Sequence, residues 1–271
     1  MKNVESGRNF AILHQKIASR ESILVAYSGG VDSSLLAAVA NKVLGEQAHA
    51  VFVDSPLVPR SAVTEAESTA KDLGLSFEIV RVPALVEAVR TNPPDRCYHC
   101  KKLVSQILKR MARERGFSCV ADGINCSDWN EHRPGIKASS EEGIVHPFIE
   151  GGFTKADIRV LARESGYQFW DKPSAACLSS RIPYGEEITK EKLRMIEEAE
   201  AYLHLKGFSR VRVRMHPRVG RIEVEAKDFP GIVAMREEIT RTFGAIGIPY
   251  TTLDLEGYRS GSMDEVLQSG R

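Results

Sequence analysis

The sequence predicts an α/β fold, a parallel sheet covered on both faces by helices, followed by a smaller C-terminal α+β domain. Three observations predict it. Short apolar runs alternate with amphipathic helical segments through the first two thirds of the chain. A glycine–serine turn, Ser28-Gly29-Gly30-Val31-Asp32-Ser33-Ser34, joins the first run directly to a helix. Beyond residue 185 the order changes to helix, hairpin, helix, strand. These patterns place one domain over residues 1–185 and a second over 186–271.

The elements follow in order. Ser22–Tyr27 reads as a buried strand, and the small-residue run Leu35–Val43 as a helix lying close on the sheet. His49–Asp54 is a second strand, and Ser61–Leu73 a helix ending at Gly74, a residue suited to a left-handed C-cap. Ser76–Val82 is a third strand, Lys101–Arg115 a helix, Ser118–Gly123 a fourth strand and Gly143–Phe148 a fifth. Thr154 is the expected N-cap of a helix over Lys155–Glu164. In the second domain Lys190–Leu205 is an amphipathic helix. Val211–His216 and Arg221–Ala226 are alternating strands about a turn at Gly220. Phe229–Phe243 is a helix and Tyr250–Leu255 a strand. In such a sheet the ligand site is expected at the carboxyl ends of the strands.

The composition is that of an ordinary globular chain, 42% hydrophobic and 27% charged. No apolar run is long enough for a membrane span, and the first residues carry no apolar export segment. A cytoplasmic location is expected, and with it five cysteines that are thiols, metal ligands or catalytic groups rather than disulfides. The net charge of +1 argues against stable nucleic-acid binding, which needs a basic excess to neutralise phosphates. It favours a small substrate.

The residue 28–34 turn has the parts of an anion site. Gly29 and Gly30 let the backbone approach a phosphate, the helix start presents N–H groups, Ser28, Ser33 and Ser34 add hydroxyls, and Asp32 can orient the loop or hold Mg²⁺. Neither the Walker ending nor the dinucleotide fingerprint is present. The SGGxDS string resembles the pyrophosphate loop of the ATP pyrophosphatase (PP-loop) superfamily, of HUP-like adenine nucleotide α-hydrolase fold. Its members cleave ATP between the α- and β-phosphates. Ala121–Gly135 is similar to a second phosphate-side segment of that superfamily, which makes Gly123, Asp128 and Arg133 candidates for ATP, metal or phosphate contact. Asp54 and Ser55 end the second strand, where superfamily members read adenine.

Cys97 and Cys100 form a CxxC pair, which by itself is equally a zinc clip or a redox couple. Cys177 lies in Lys172–Thr189, KPSAACLSSRIPYGEEIT, a stretch that reads as a loop. That block, the loop at residue 28 and the VRVRMH…RIEVE strands together resemble the LarE-type ATP-dependent sulfur transferases. The resemblance implies ATP and Mg²⁺, a pyridinium mononucleotide substrate, sulfide or another sulfur donor, and a homo-oligomer, trimer or hexamer. It implies two ways of delivering sulfur: sacrifice of Cys177, or a [4Fe–4S] cluster on Cys97, Cys100 and Cys177. Lys101, directly after the CxxC pair, and Arg181, four residues after Cys177 and suited to a phosphate or carboxylate, are catalytic candidates by position; the resemblance makes Arg212, Arg214 and Glu223 substrate contacts. Zinc at the cysteines, a PP-loop tRNA thiolase, an amide-forming pyrophosphatase and a non-enzymatic nucleotide binder are the competing readings.

Overall fold

A computed structural model describes residues 2–130, 134–173, 176–259 and 261. In chain order its principal elements are α1 (Lys2–Ala18), β1 (Ile23–Tyr27), α2 (Val31–Leu44), β2 (Ala48–Asp54), α3 (Arg60–Asp72) and β3 (Phe77–Arg81). There follow α4 (Glu87–Arg90), α5 (Arg96–Arg115), β4 (Cys119–Asp122), α6 (Cys126–Asn130), α7 (Pro134–Glu141), α8 (Pro147–Glu150) and α9 (Lys155–Glu164). The chain ends in α10 (Lys190–Leu205), β5 (Val211–Met215), β6 (Val219–Val224), α11 (Phe229–Ala234), α12 (Arg236–Ile246) and β7 (Tyr250–Leu253). It divides into two compact units, residues 1–84 with 95–175, and residues 85–94 with 176–271.

The first unit is a four-stranded parallel sheet of order β3-β2-β1-β4. Strands β1 and β2 are apolar and almost wholly buried, as a sheet covered on both faces requires. One core cluster is built on Leu35, Leu36 and Val39 of α2 with Phe148, Phe153 and Ile158. The other is built on Leu24, Val51 and Val120 with Leu108 and Met111 of α5. Because the chain runs from β1 to β2 and β3 on one side and returns to β4 on the other, the order reverses between β1 and β4. The loops after those two strands diverge there, leaving the crevice in which α/β sheets bind ligands.

The segment expected as a fifth strand is one bridging residue, Val145, parallel to Ala121. Pro147, lacking an N–H, starts α8 two residues later and stops the ladder. The CxxC pair lies inside α5, which begins at Arg96 rather than at Lys101. Thr154 caps α9 as expected, its hydroxyl accepting from Asp157 N–H while the Asp157 carboxylate accepts from Thr154 N–H.

In the second unit β5 and β6 are antiparallel and β7 lies parallel to β6. The hairpin turns at Pro217–Arg218, closed by reciprocal His216–Val219 backbone bonds; Gly220 sits in the ladder opposite Met215. The expected single helix from Phe229 is two, α11 and α12, broken at Met235. Asn92, fully buried at φ 55°, donates to the carbonyls of Ile182 and Pro183 at 3.2 and 2.7 Å and accepts from Gly185 N–H. That clamp is why residues 85–94 belong with the RIPYG segment.

Candidate functional site

In the first unit the turn after β1 is a closed, self-bonded loop. Gly29 takes φ 71°, and a Cβ there would stand 2.8 Å from the Ala66 Cβ, so no other residue fits. The Ser33 hydroxyl accepts from Ser28 N–H at 3.1 Å, contacts Ser28 Oγ at 2.9 Å and donates to Gly30 carbonyl at 3.2 Å. Ser33 therefore shapes the loop, Ser34 is wholly buried, and Ser28 is exposed. On the β4 side Gly123 lies against the same helix start: a Cβ there would be 2.9 Å from Ser33 N and 3.0 Å from the Asp32 carbonyl carbon.

Two carboxylates meet at this point. Asn125 Nδ2 donates to Asp32 Oδ2 at 3.3 Å and to Asp128 Oδ2 at 2.7 Å, bridging them. Among the described residues, Asp32 Oδ1 is buried without a hydrogen-bond partner. Burial pushes the Asp32 carboxyl up and Asp128 adds to the rise, against the pull of Lys155 and Arg159 on α9. A paired, desolvated set of oxygens with an unused acceptor fits a hard cation such as Mg²⁺, which completes its shell with water and phosphate. A further cation stands at the loop: Lys172 Nζ donates to Gly29 carbonyl at 3.1 Å and pairs with Glu65 at 2.8 Å. Arg159 in turn holds the carbonyls of Trp170 and Lys172. Sequence reasoning misses Lys155, Arg159 and Lys172 because nothing local marks a cation that reaches the loop from another element.

Asp54 is engaged elsewhere. Its two oxygens accept from the Arg60 guanidinium at 2.9 and 2.6 Å, and Arg60 also donates to Ser55 and Val58 carbonyls. The pair fastens the loop after β2, leaving backbone rather than carboxylate at the strand end. Lys101 pairs with Asp122 at the end of β4. Cys97 and Cys100 stand one helical turn apart on α5, so the thiols share a face; Cys97 is exposed and Cys100 half-buried. Arg133 lies outside the described residues.

In the second unit exposed Cys177 precedes a short 3-10 turn, Leu178–Arg181, its Sγ 2.9 Å from Ser179 Oγ. Arg181, 3% exposed, spends its donors internally. Nε and Nη2 bond the Glu200 carboxylate at 3.0 and 2.9 Å, and Nη1 bonds the carbonyls of Ala176 and Cys177 and Ser180 Oγ. It fixes the turn that presents the thiol rather than meeting a ligand. Arg214 likewise pairs with buried Glu223 at 2.8 and 2.9 Å and bonds the Ser180 carbonyl. Arg212 differs. It is half-buried, bonds Val211 carbonyl, lies over the Tyr258 ring, and among the described residues forms no ion pair. Burial pushes its guanidinium down from the usual range, and the Arg181 charge adds to the effect. An anion would relieve both.

Among the described residues no group of three or more His, Cys, Asp or Glu side chains is gathered to hold a metal ion, and no helix is long and apolar enough to cross a membrane.

Residues 8–119 match the family model described as NAD synthase, whose stretch spans the loop after β1 and the Gly-Ser helix start. The chain is 40% identical to an uncharacterised protein of Synechocystis, over 94% of this chain and 96% of that one. It is 29% identical to a chain of the glutamine-hydrolyzing GMP synthase of Methanocaldococcus jannaschii, over 70% of this chain and 64% of that one. It is 35% identical to the pyridinium-3,5-bisthiocarboxylic acid mononucleotide synthase of Lactiplantibacillus plantarum, over 95% of this chain and 94% of that one. With a pyrophosphate-type loop at the reversal point of its parallel sheet and that similarity from end to end, the chain belongs to the PP-loop superfamily and, within it, to the family of the pyridinium-3,5-bisthiocarboxylic acid mononucleotide synthase.

Proposed function

We propose that the protein is an ATP-dependent sulfur transferase that acts on pyridinium-3,5-biscarboxylic acid mononucleotide. The observation that carries this is the loop after β1, with paired Asp32 and Asp128 beside it, in a chain similar throughout to a named synthase of the bis-thio product. A substrate carboxylate oxygen attacks the α-phosphorus of ATP, the bond to the β-phosphate oxygen breaks, and pyrophosphate leaves. A sulfur nucleophile then adds to the acyl carbon and AMP departs with the carbon–oxygen electron pair. The self-bonded loop and α2 N–H groups hold the phosphates, and Lys155, Arg159 and Lys172 offset their charge. Asp32 and Asp128 supply oxygens for Mg²⁺. Arg212 receives the phosphate or a carboxylate of the mononucleotide, a guanidinium being suited to bidentate anion recognition.

The finer reading concerns the sulfur. Cys97, Cys100 and Cys177 are the thiols that would hold a [4Fe–4S] cluster; Cys97 and Cys100 share a helix face in the first unit, and Cys177 is exposed on its own turn in the second. Two protein thiolates on one helix turn suit part of such a donor set. Such a cluster, held by those thiols, would supply the sulfur as sulfide. The alternative is that the Cys177 thiolate attacks the acyl adenylate, after which Cα-proton removal expels the thioacid and leaves dehydroalanine. Anaerobic purification with iron and sulfide analysis, followed by intact mass after turnover, separates them. Iron with unchanged chain mass is the result for the cluster, and loss of the elements of H₂S is the result for sacrifice. Turnover undiminished in Cys177→Ala would sink both and favour amide formation, the reading to which the GMP synthase similarity points. We place the protein in the cytoplasm as a homo-oligomer, trimer or hexamer, which sedimentation would test.

A further inference from the structure

Lys101 sits one residue after Cys100 and four after Cys97, and its ammonium lies 2.9 Å from Asp122 Oδ2. Asp122 ends β4 with 2% of its surface exposed, a position at which a carboxylate must be compensated. Its other oxygen accepts from His146 Nδ1 at 2.7 Å and from Ile124 N–H at 3.3 Å. The other ring nitrogen, Nε2, stands 3.1 Å from Ser140 Oγ, so both ring nitrogens are engaged. Burial pushes the Asp122 carboxyl up, but Lys101 and His146 outweigh it and hold the group below the usual carboxylate range. Three groups therefore converge on one buried anion, and one of them is the lysine of the cysteine helix.

The location gives this network a use. Gly123, next after Asp122, packs on Ser33 N at the start of α2. The ammonium is thereby held at the carboxyl end of β4, between the phosphate-binding helix start and the CxxC pair. An ammonium has three N–H groups, and the side chain of Lys101 is 27% exposed, so donors remain for a ligand beside the ion pair with Asp122. The phosphate nearest the sulfur chemistry is the α-phosphate, which becomes the leaving AMP.

We propose that Asp122 and His146 are positioning residues that aim the Lys101 ammonium at the α-phosphate of the adenylated substrate; this rests on the sulfur-transferase reading above. His146 fixes Asp122, Asp122 fixes Lys101, and neither needs to touch substrate. A charge aimed in advance acts in the reaction step more than in ATP binding.

The test is pyrophosphate exchange into ATP, dependent on the pyridinium dicarboxylate mononucleotide, using the full chain and the variants Lys101→Ala, Asp122→Asn, His146→Ala and His146→Asn. Loss of the ammonium should lower kcat about a hundredfold. His146→Ala should lower kcat about tenfold with KM for ATP within about twofold, because it acts through Lys101. His146→Asn, whose Nδ2 can replace the Nδ1 donor, should recover most of the rate. The double variant Lys101→Ala/His146→Ala should be no slower than Lys101→Ala alone, since both changes remove one effect. Wild-type rates in His146→Ala, or additive losses in the double variant, would overturn the proposal, and the cycle decides it even where Asp122→Asn fails to fold. A wild-type protein that exchanges no pyrophosphate overturns the sulfur-transferase reading instead, which is a separate outcome.

Discussion

Arginines of similar appearance in the sequence do different work once their partners are known. Arg181 and Glu200 form a buried bidentate pair, so Arg181→Ala should cost about 3–5 kcal/mol in urea unfolding because it strands a buried carboxylate. Replacing both by methionine should recover only part, since Val213 N–H also donates to Glu200 at 2.9 Å. Arg212 has no such pair among the described residues. Arg212→Ala should leave the melting temperature unchanged or raised, while KM for the mononucleotide rises about tenfold or more, the worth of a charge-assisted bond. Asp32 gives a third case. Its carboxyl is raised by burial and by Asp128, so the folded state binds more protons than the unfolded one between the two pKa values. Stability therefore falls as pH rises through that window and stays lowered above it. Asp32→Asn should then melt higher at neutral pH, with turnover lost because the carboxylate that would bind Mg²⁺ is gone; a lower melting point would refute the reading. The Asp32 loop is legible in the sequence because its residues are consecutive. Asp122, His146 and Lys172 are not, because a buried ion pair between distant residues leaves no local pattern.

At the scale of elements, periodicity and caps carry most of the information. The span Lys190–Leu205 is legible from its apolar spacing, with Thr189 accepting from Lys192 N–H at its start. Helix α5 reads short from sequence, since the CxxC and its neighbours carry no apolar face to reveal it; burial of Arg96 and contact with α7 settle it. The fifth strand reads too long because an apolar run looks the same whether it pairs for one residue or five. The meeting of β4 with α2 yields a prediction of its own. Gly123→Ala places a methyl against Ser33 N, tighter than packed atoms tolerate, and the backbone there cannot yield without moving the phosphate-binding turn. ATP affinity should fall at least about tenfold by calorimetry, as expected for a displaced hydrogen-bonding turn, while circular dichroism still reports a folded chain.

For the whole molecule, the order β3-β2-β1-β4 places the ligand crevice where loop chemistry alone had put it, so topology and motif agree. The register change near residue 185 is a sequence feature. The three-dimensional division follows Asn92, whose bonds to Ile182 and Pro183 span ninety positions and leave no sign in either segment. Membership of residues 85–94 in the second unit also has a consequence for the protein's ancestry and engineering. The backbone passes from one unit to the other at 84–85, at 94–95 and at 175–176. A part stitched in at three seams is not a cassette: no single cut frees it, and no single splice can replace it. A gene fragment encoding residues 176–271 omits the strap that fastens its own RIPYG turn, so it should be cleaved rapidly by protease. Grafting residues 85–94 back through a flexible connection should restore resistance.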